Sequence, residues 1–505
     1  MSSPDSGSGK GFSLTEWLVL LVAVIGFAFD IYELLMLPVI SGPALSELLR
    51  VPPEHPDISK WFGRINAAAA ISGGIFGLLG GYLIDRFGRK RILGLSILVY
   101  GVSPVLAAFS TSPIELLIFR CTTFIGVCVE FVAAVAWLAE LFPEPKKRES
   151  VLGITQAFSS IGGLMVSGMS LLLTRHGSSL PALPIDPPFD PHAAWRYTLI
   201  SGLIPAIPIA IILPFLPESP VWRQRKAEGK LKRPSIGELF TPALRRTTII
   251  TTILFACAYG AAFGAIQLTP VQIAPGVPEL AEQRKGLAPL RTQASELYKK
   301  FDATEPNSDA RQEALAQIKG NLKEQRTFSA PINEFRSTAQ LWQEMGGLVG
   351  RVIFAAIAIV ILSRRAQLRM FLIPGLAIIP WFFFMGSQQS SDMLLFGIGA
   401  AALVTVAQLS YLGNYLPAAY PVHLRGTAGG FTANVGGRMI GGMMSFVTTG
   451  VILAEVKGYL PQGTTPFKIA AFSAGIMGTL MFLIALIASF FLPEPKATET
   501  ELNAK

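Results

Sequence analysis

The chain has 505 residues, of which 51% are hydrophobic and 15% are charged, and its mean hydropathy is +0.49. Because about a quarter of the residues of a soluble globular protein are charged, this composition excludes an ordinary soluble enzyme and indicates an integral membrane protein. The net charge of +9 is explained by basic loops on one membrane face. We therefore expect the protein to lie in a lipid bilayer and to have no nucleic-acid partner. Three cysteines are too few for a disulfide scaffold.

Twelve apolar runs are long enough to cross a bilayer, which takes about 20 residues of helix. In chain order they cover residues 14–40, 61–84, 92–109, 114–141, 151–173, 197–216, 247–268, 345–362, 370–385, 393–416, 427–453 and 469–492. The sequence therefore predicts an all-α membrane protein with twelve transmembrane helices. Polar tails at 1–13 and 493–505 flank these runs.

The distribution of Lys and Arg over the loops predicts the orientation. With the amino terminus inside, the inner loops and tails carry 22 of the 42 basic residues and the short outer loops carry 6. Short loops rich in Lys and Arg stay in the cytoplasm, so both termini are predicted to be cytoplasmic. We expect a multi-pass protein of the plasma membrane, which in a bacterium is the inner membrane.

A basic stretch at residues 217–246 separates six predicted helices from six. We interpret it as a cytoplasmic linker between bundles at 14–216 and 247–492. A faint internal repeat supports two related halves, because Arg148 and Arg425 are each followed by Gly at +5 and Thr at +7. Internal repeats are typical of secondary transporters, which bind substrate between the repeats near the middle of the membrane.

The second bundle contains one long outer insertion, residues 269–343, whose composition is that of a soluble protein. The spacing of Leu315, Ile318 and Leu322 predicts an amphipathic helix, and apolar residues at 290–301 indicate another before it. Two interpretations stay open. The insertion is either a small helical cap that packs on its own outer loop or a domain that binds a receptor or partner.

A motif follows the second predicted helix on an inner loop. Residues 81–91 read Gly-Tyr-Leu-Ile-Asp-Arg-Phe-Gly-Arg-Lys-Arg, which resembles the signature loop of the major facilitator superfamily at every fixed position. The resemblance implies two pseudo-symmetric six-helix halves that transport by alternating access. It also implies a cytoplasmic gate at this loop, and the residues expected to form it are Asp85, Arg86, Arg89, Glu140, Arg148 and Glu218.

Further resemblances concern the substrate class. Residues 217–222, Pro-Glu-Ser-Pro-Val-Trp, are similar to the sugar-porter sequence at the end of the sixth helix. Asp30 and Arg120 are similar to the sugar-porter Asp and Arg of the first and fourth helices. Ala418, however, stands where the second half of that family usually has Glu. Residues 425–438 look more like those of proton-coupled organic-anion and metabolite symporters, which fit at least as well.

Ionisable residues inside predicted membrane helices indicate the transport chemistry, because they are costly unless they are paired or face a cavity. We expect Asp30 to meet Arg120 and to alternate between pairing with it and holding a proton. Glu130 lies about 80° around the helix from Arg120 and is the second proton candidate. The alternative for Asp30 and Arg120 is a fixed ion pair. Glu33 is expected to be a solvated residue at the outer mouth.

The second half places two arginines at membrane depth, Arg351 and Arg438, with no acid in its helices beyond the end residue Glu344. An anionic substrate would balance these cations, and a carboxylate fits an arginine well because it accepts two parallel hydrogen bonds. A gate contact at the inner mouth is the alternative for Arg438. The other residues predicted to contact substrate are Tyr32, Tyr259, Gln408, Tyr411 and Asn434.

Together these features predict a secondary active transporter that takes up a small organic anion, such as a carboxylate or sugar acid, with protons. The sequence contains no catalytic constellation, metal-ligand spacing or phosphate-binding loop. We therefore expect no enzymatic activity and no cofactor or metal, and we expect a monomer. Two alternatives remain: a neutral sugar or drug facilitator of the same fold, and a non-transporting sensor that uses residues 269–343.

Overall fold

The computed structural model describes residues 13–51, 55–142, 145–186, 188–228, 235–305, 308–361, 363–421 and 424–494. Within these ranges every regular element is a helix. Ten helices of the described residues are long and apolar enough to cross a membrane: Leu14–Leu49, Pro56–Ile84, Arg89–Ala107, Pro113–Leu138, Ala194–Phe215, Arg245–Gly276, Arg364–Gln388, Ser391–Leu416, Arg425–Tyr459 and Pro466–Phe491.

Two more helices complete the predicted twelve. Pro145–His176 is the fifth and packs against the first, and the second part of Asp309–Val360 is the eighth and packs against the tenth. We number the twelve spans in chain order. We call the first six spans the first half of the molecule and the last six the second half.

Local sequence signals determine where the spans begin. The first starts with a capping box, in which the Ser13 hydroxyl accepts from the backbone N–H of Glu16 and the Glu16 carboxylate accepts from that of Ser13. The second, fourth and twelfth spans begin with proline in the first helical turn, where its missing N–H has no helical partner to lose.

The turn after the second span depends on Gly88. Its φ of 105° is a backbone conformation that favours glycine, and the third span begins at the next residue. A Cβ at Gly88 would also lie 2.5 Å from Oε2 of Glu218. Both the backbone angle and this contact therefore require a glycine in the 81–91 motif.

Within each half, glycines let pairs of spans approach closely. Gly162 of the fifth span lies against the backbone carbonyl of Ala28 in the first, and Gly350 of the eighth lies against that of Leu403 in the tenth. An added Cβ would overlap either carbonyl. Small residues at such contacts are typical of membrane helix bundles, in which packing replaces the hydrophobic effect between helices.

The most extensive contacts between the two halves join the second span with the eleventh, the fifth with the eighth, and the first with the seventh. Gly77 of the second span faces Asn434 of the eleventh, because a Cβ there would lie 2.8 Å from the Asn434 Nδ2. Apolar side chains such as Leu98 and Phe396 are exposed on the outside of the bundle, as expected for a lipid-facing surface. Polar residues of both halves therefore come together in the centre.

The bundle has two distinct ends. We call the end with residues 85–91 and 363–369 the basic end, and the opposite end the insertion end. There the helix Ala281–Ala303 and the first part of Asp309–Val360 form an antiparallel pair, residues 281–336, which we call the insertion hairpin. Its small core contains Leu297, Phe301, Ala314 and Ile318, which confirms the predicted amphipathic helices.

Candidate functional site

A cluster of three charged side chains is buried between the halves. Asp30 of the first span is 3% exposed, Arg438 of the eleventh is 6% exposed, and Oδ2 of Asp30 lies 3.9 Å from Nη2 of Arg438. Glu130 of the fourth span is buried as an electrostatic neighbour of both. Gly26 lies one turn before Asp30, and a Cβ there would lie 2.8 Å from Oε1 of Glu130. Two ionised acids and one arginine leave a single negative charge, which one proton neutralises.

Arg438 lies in an unusual stretch of the eleventh span. Residues Thr432–Gly441 form π-helical turns, which are rare and frequently occur at functional sites. The Nη1 of Arg438 donates to Oδ1 of Asn434 at 3.2 Å, and its guanidinium carbon lies 5.0 Å from the centre of the Phe131 ring. Tyr259 of the seventh span is a further electrostatic neighbour of Arg438. Three of the predicted substrate residues, Arg438, Asn434 and Tyr259, therefore lie together.

Contrary to the sequence prediction, Arg120 does not pair with Asp30. Its Nη1 and Nη2 donate to the backbone carbonyls of Glu33 and Leu34 at 2.6 and 2.8 Å. The reason is Pro38, which lies inside the first span and has no N–H to offer the carbonyl of Leu34, four residues earlier. Arg120 thus satisfies carbonyls at a proline site and leaves Asp30 to Arg438.

Glu33 is completely buried, so the prediction of a solvated rim residue is wrong. Neither carboxyl oxygen has a hydrogen-bond partner among the described residues. The group packs so closely against Gly202 of the sixth span that an added Cβ would overlap Oε1. Glu33 and Arg120 also line a small cavity between the first, third, fourth and sixth spans, together with Thr123. Among its described residues, the first half therefore holds three buried acids, Asp30, Glu33 and Glu130.

Arg351 has a carboxylate of its own half nearby. Glu344 lies two turns earlier on the eighth span and is an electrostatic neighbour of Arg351, as is Tyr259. The side-chain amides of Gln340 and Gln343 donate to Oε1 of Glu344 at 2.8 and 2.9 Å. Glu344 also packs against a glycine of the fifth span, so it belongs to the contact between the halves. Sequence reasoning had treated it only as an end residue.

The remaining predicted substrate residues lie elsewhere. The Tyr32 hydroxyl is hydrogen-bonded to that of Ser201 at 2.6 Å, which joins the first and sixth spans within one half. The Tyr411 ring stacks on Tyr415, whose hydroxyl donates to the carbonyl of Pro493 beyond the twelfth span, so both tyrosines lie towards the basic end. The Gln408 amide donates to a carbonyl of its own helix, that of Val404, at 3.1 Å.

Several of the predicted gate residues meet at the basic end. The Arg89 guanidinium binds Glu140 of the fourth span, with Nε 2.9 Å from Oε2. The carboxylate of Glu218 accepts from the backbone N–H groups of Arg89 and Lys90 at 3.1 Å each. These contacts tie the 81–91 loop to its own half and to the start of the linker. Arg86 donates instead to the hydroxyl of Tyr82, at 2.9 Å.

Two predicted gate residues, Asp85 and Arg148, have side chains outside the described part of the structure. Their role in the gate stays a prediction.

Comparison with known proteins determines the family. The sequence pattern of the Major Facilitator Superfamily matches residues 18–288, more than half of the chain. The chain belongs to this superfamily. This membership agrees with the predicted transporter and with the expectation that the chain is not an enzyme.

Among curated relatives, the chain is 25% identical over 226 residues to an arabinose-proton symporter of Bacillus subtilis. This match covers 39% of this chain and 47% of that protein. It is 29% identical over 192 residues to a probable 4-methylmuconolactone transporter of Cupriavidus pinatubonensis, covering 38% and 42%. The chain thus spans less than half of the length of these two relatives. The crystal structure of a D-xylose-proton symporter matches with a TM-score of 0.62 and 18% identity over 95% of this chain and 98% of that one, a likeness of fold.

The two halves of this superfamily member share a feature that sequence reasoning missed. In the second half, Glu494 accepts from the backbone N–H groups of Arg364 and Arg365 at 3.1 and 3.0 Å, as Glu218 does at the start of the third span. Burial alone would raise the pKa of Glu494, but these hydrogen bonds and one from Ser363 outweigh it and lower the pKa below its usual value. The available signal was Leu-Pro-Glu, which occurs at both 216–218 and 492–494.

Proposed function

We propose that the protein is a proton-coupled symporter that takes up a small organic anion, such as a carboxylate or sugar acid, by alternating access. The observation that supports this most is the buried contact of Asp30 with Arg438, one from each half, with Glu130 beside them. Arg438 can offer a carboxylate two parallel hydrogen bonds. The two acids can hold protons. Arg351 is a weaker candidate for the anion because Glu344 is near it.

The charges of the cluster suggest how proton and substrate are coupled. With one proton shared by Asp30 and Glu130, the empty site is neutral. A second proton separates Asp30 from Arg438, and the freed arginine then binds the substrate carboxylate, so the loaded site is neutral again. A site that holds only one of the two ligands carries an unbalanced charge at membrane depth, which is costly. Uptake of a monovalent anion should therefore be electroneutral, with one proton per substrate.

We infer that the basic end faces the cytoplasm and that the insertion end faces outward, because short basic loops stay inside. Both termini would then be cytoplasmic, in the plasma membrane. On this orientation substrate enters from the insertion end. The central cluster lies between the halves, so substrate bound there would be accessible first from the insertion end and then from the basic end.

The test begins with the purified protein and a thermal-shift screen of carboxylates, sugar acids and neutral sugars. A compound that stabilises it is then offered, radiolabelled, to proteoliposomes. We expect a pH gradient, acid outside, to drive accumulation and a potassium diffusion potential to have no effect. Accumulation driven by the potential but not by the pH gradient would refute the electroneutral scheme.

Two variants, with one control, test whether transport depends on the cluster. Arg438→Gln should abolish binding of the anion in the thermal-shift assay, and Asp30→Asn should leave exchange of internal for external substrate while abolishing accumulation driven by protons. Arg64→Gln is the matched control, because Arg64 also lies in a span but is exposed over the Trp61 ring. Undiminished proton-driven accumulation by Asp30→Asn would refute the assigned role of Asp30.

A neutral-sugar symporter is the second candidate, favoured by the names of the relatives, which include an arabinose and a xylose symporter. A neutral substrate with one proton would make uptake electrogenic. The same liposome assay then separates the two proposals, because a membrane potential would drive sugar uptake. Arg438→Gln would also leave sugar binding in place.

A further inference from the structure

The insertion hairpin is attached firmly to the second half. Its second helix, Asp309–Val360, continues without a break into the eighth span. Its first helix contacts the seventh and twelfth spans through Arg284, which donates from Nη1 to the carbonyl of Pro275 at the end of the seventh span and lies 5.3 Å from the centre of the Phe467 ring of the twelfth. The hairpin must therefore follow the second half when the halves move.

Within the part of the chain that the structure describes, three ion pairs connect this hairpin to the first half. In each pair one partner belongs to the first half and the other to the hairpin: Arg50 with Asp302, Asp190 with Arg326, and Arg175 with Glu334. The first pair has an Nη1–Oδ2 distance of 2.7 Å, and Arg50 also lies over the Tyr298 ring. The partners in the first half come from the end of the first span, the loop before the sixth, and the end of the fifth.

The surface of the first half that contacts the hairpin is itself held in place by buried contacts. The backbone N–H of Asp190 donates to Oε1 of Glu47 at 3.2 Å, and the same oxygen lies 2.9 Å from Nη2 of Arg196, whose side chain is fully buried. Beneath the hairpin, the hydroxyls of Ser170 in the fifth span and Ser337 at the start of the eighth are hydrogen-bonded at 3.1 Å and buried. The halves are thus closed against each other at this end.

We propose that the insertion hairpin is a clamp, which holds the two halves together at the insertion end and has to release the first half before substrate can enter there. The inference rests on the proposed transport function and orientation. Because the hairpin is carried by one half and its partners by the other, opening of this end separates all three ion pairs. Pairs at the surface are screened by salt, so the clamp weakens as ionic strength rises.

The experiment measures opening of this end directly. A Ser170→Cys reporter is buried while the end is closed and becomes accessible when it opens. Purified full-length protein in liposomes is treated with a membrane-impermeant maleimide added from one side at a time. The native chain, whose three cysteines are free, gives the background. The assay needs no substrate, so its outcome does not depend on the substrate being an anion.

The test variant neutralises the hairpin side of each pair: Asp302→Asn, Arg326→Gln and Glu334→Gln. We expect the reporter to react about tenfold faster from the insertion end than in the parent, which corresponds to about 1.4 kcal/mol. Raising the salt concentration should accelerate labelling of the parent and have little effect on the variant. An unchanged rate, or an equal response to salt in both proteins, would overturn the proposal.

Two controls separate the clamp from a general loss of structure. Glu282→Gln removes an exposed ion pair with Lys285 that lies wholly within the hairpin, and it should leave labelling unchanged. Exchanging the charges, Arg175→Glu with Glu334→Arg, should restore the slow labelling that either single change accelerates. If the exchanged pair labels as fast as the single variants, the ion pair does not hold this end. Labelling only from the basic end would instead refute the proposed orientation.

Discussion

Arg120 provides the sharpest test of the structure against the sequence, because the two assign it different roles. In the structure it donates two charged hydrogen bonds to the carbonyls of Glu33 and Leu34. A hydrogen bond to a charged group contributes about 1.5–3 kcal/mol, so removal of both should cost about 3–6 kcal/mol. Arg120→Met removes the donors and keeps much of the length. Pro38→Ala gives the Leu34 carbonyl a helical N–H. In that background the loss of stability caused by Arg120→Met should be smaller by the contribution of one hydrogen bond, about 1.5–3 kcal/mol.

The assay is a double-mutant cycle on the free energy of unfolding, measured by SDS titration in mixed micelles. A positive coupling between residues 38 and 120 would show that the arginine compensates for the proline. The result that would refute this reasoning is an Arg120→Met variant with equal cost in both backgrounds. A variant of full stability that had lost only proton-driven uptake would restore the sequence-based role of Arg120 in coupling.

Three other substitutions test single contacts. Gly350→Ala should lower the free energy of unfolding by about 1–3 kcal/mol, because the added methyl group overlaps the Leu403 carbonyl, whereas Gly413 has open space around it and Gly413→Ala should have no such effect. Equal losses in the same titration would contradict this packing. Glu494→Gln should lower the melting temperature at neutral pH and have less effect below about pH 4. A carboxylate whose pKa is lowered in the folded state adds stability that is lost as the pH falls through that pKa. A difference in melting temperature that does not depend on pH would refute this. Glu33→Gln should preserve pH-driven uptake, since neither oxygen of Glu33 accepts a hydrogen bond from a described residue. Loss of that uptake would place the coupling proton on Glu33.

The sequence predicted the architecture well because the bilayer limits what an apolar run can become. The 81–91 motif and the hydropathy profile indicated a family and twelve spans. The family was confirmed, and the count of twelve agrees with ten apolar spans and two further helices of the described residues. Hydropathy could not predict the length of the eighth helix. Only its last part is apolar, while the 52 residues of Asp309–Val360 form one helix that includes half of the insertion hairpin. Continuity of a helix from water into the membrane leaves no signal in mean hydropathy.

The partners of buried charges were harder to predict, because pairing depends on rotation about helix axes and on local breaks. Depth alone suggested that Asp30 and Arg120 could meet. Pro38 changes this by leaving a carbonyl without a partner, and the π-helical turns of the eleventh span place Arg438 towards the first half. The proline was visible in the sequence, and its free carbonyl was a usable signal. The π-helical turns had no such signal.

The ion pairs that join the halves, among the described residues, are of two physical kinds. Three lie at the insertion end, where water and salt screen them and each contributes about 0.2–1 kcal/mol. The fourth, Asp30 with Arg438, is buried at membrane depth, where salt does not reach it. In the proposed mechanism this pair is controlled by protonation. A ligand shifts an equilibrium only through its different affinities for the two states, and in the proposed mechanism protons and substrate act on the fourth pair and not on the other three. Removing the clamp should therefore change how often the insertion end is open, and with it the apparent affinity for external substrate, while the proton-to-substrate ratio stays the same. Asp30→Asn should instead change the proton-to-substrate ratio, so a clamp variant with an altered ratio would show that the two kinds of pair are not independent.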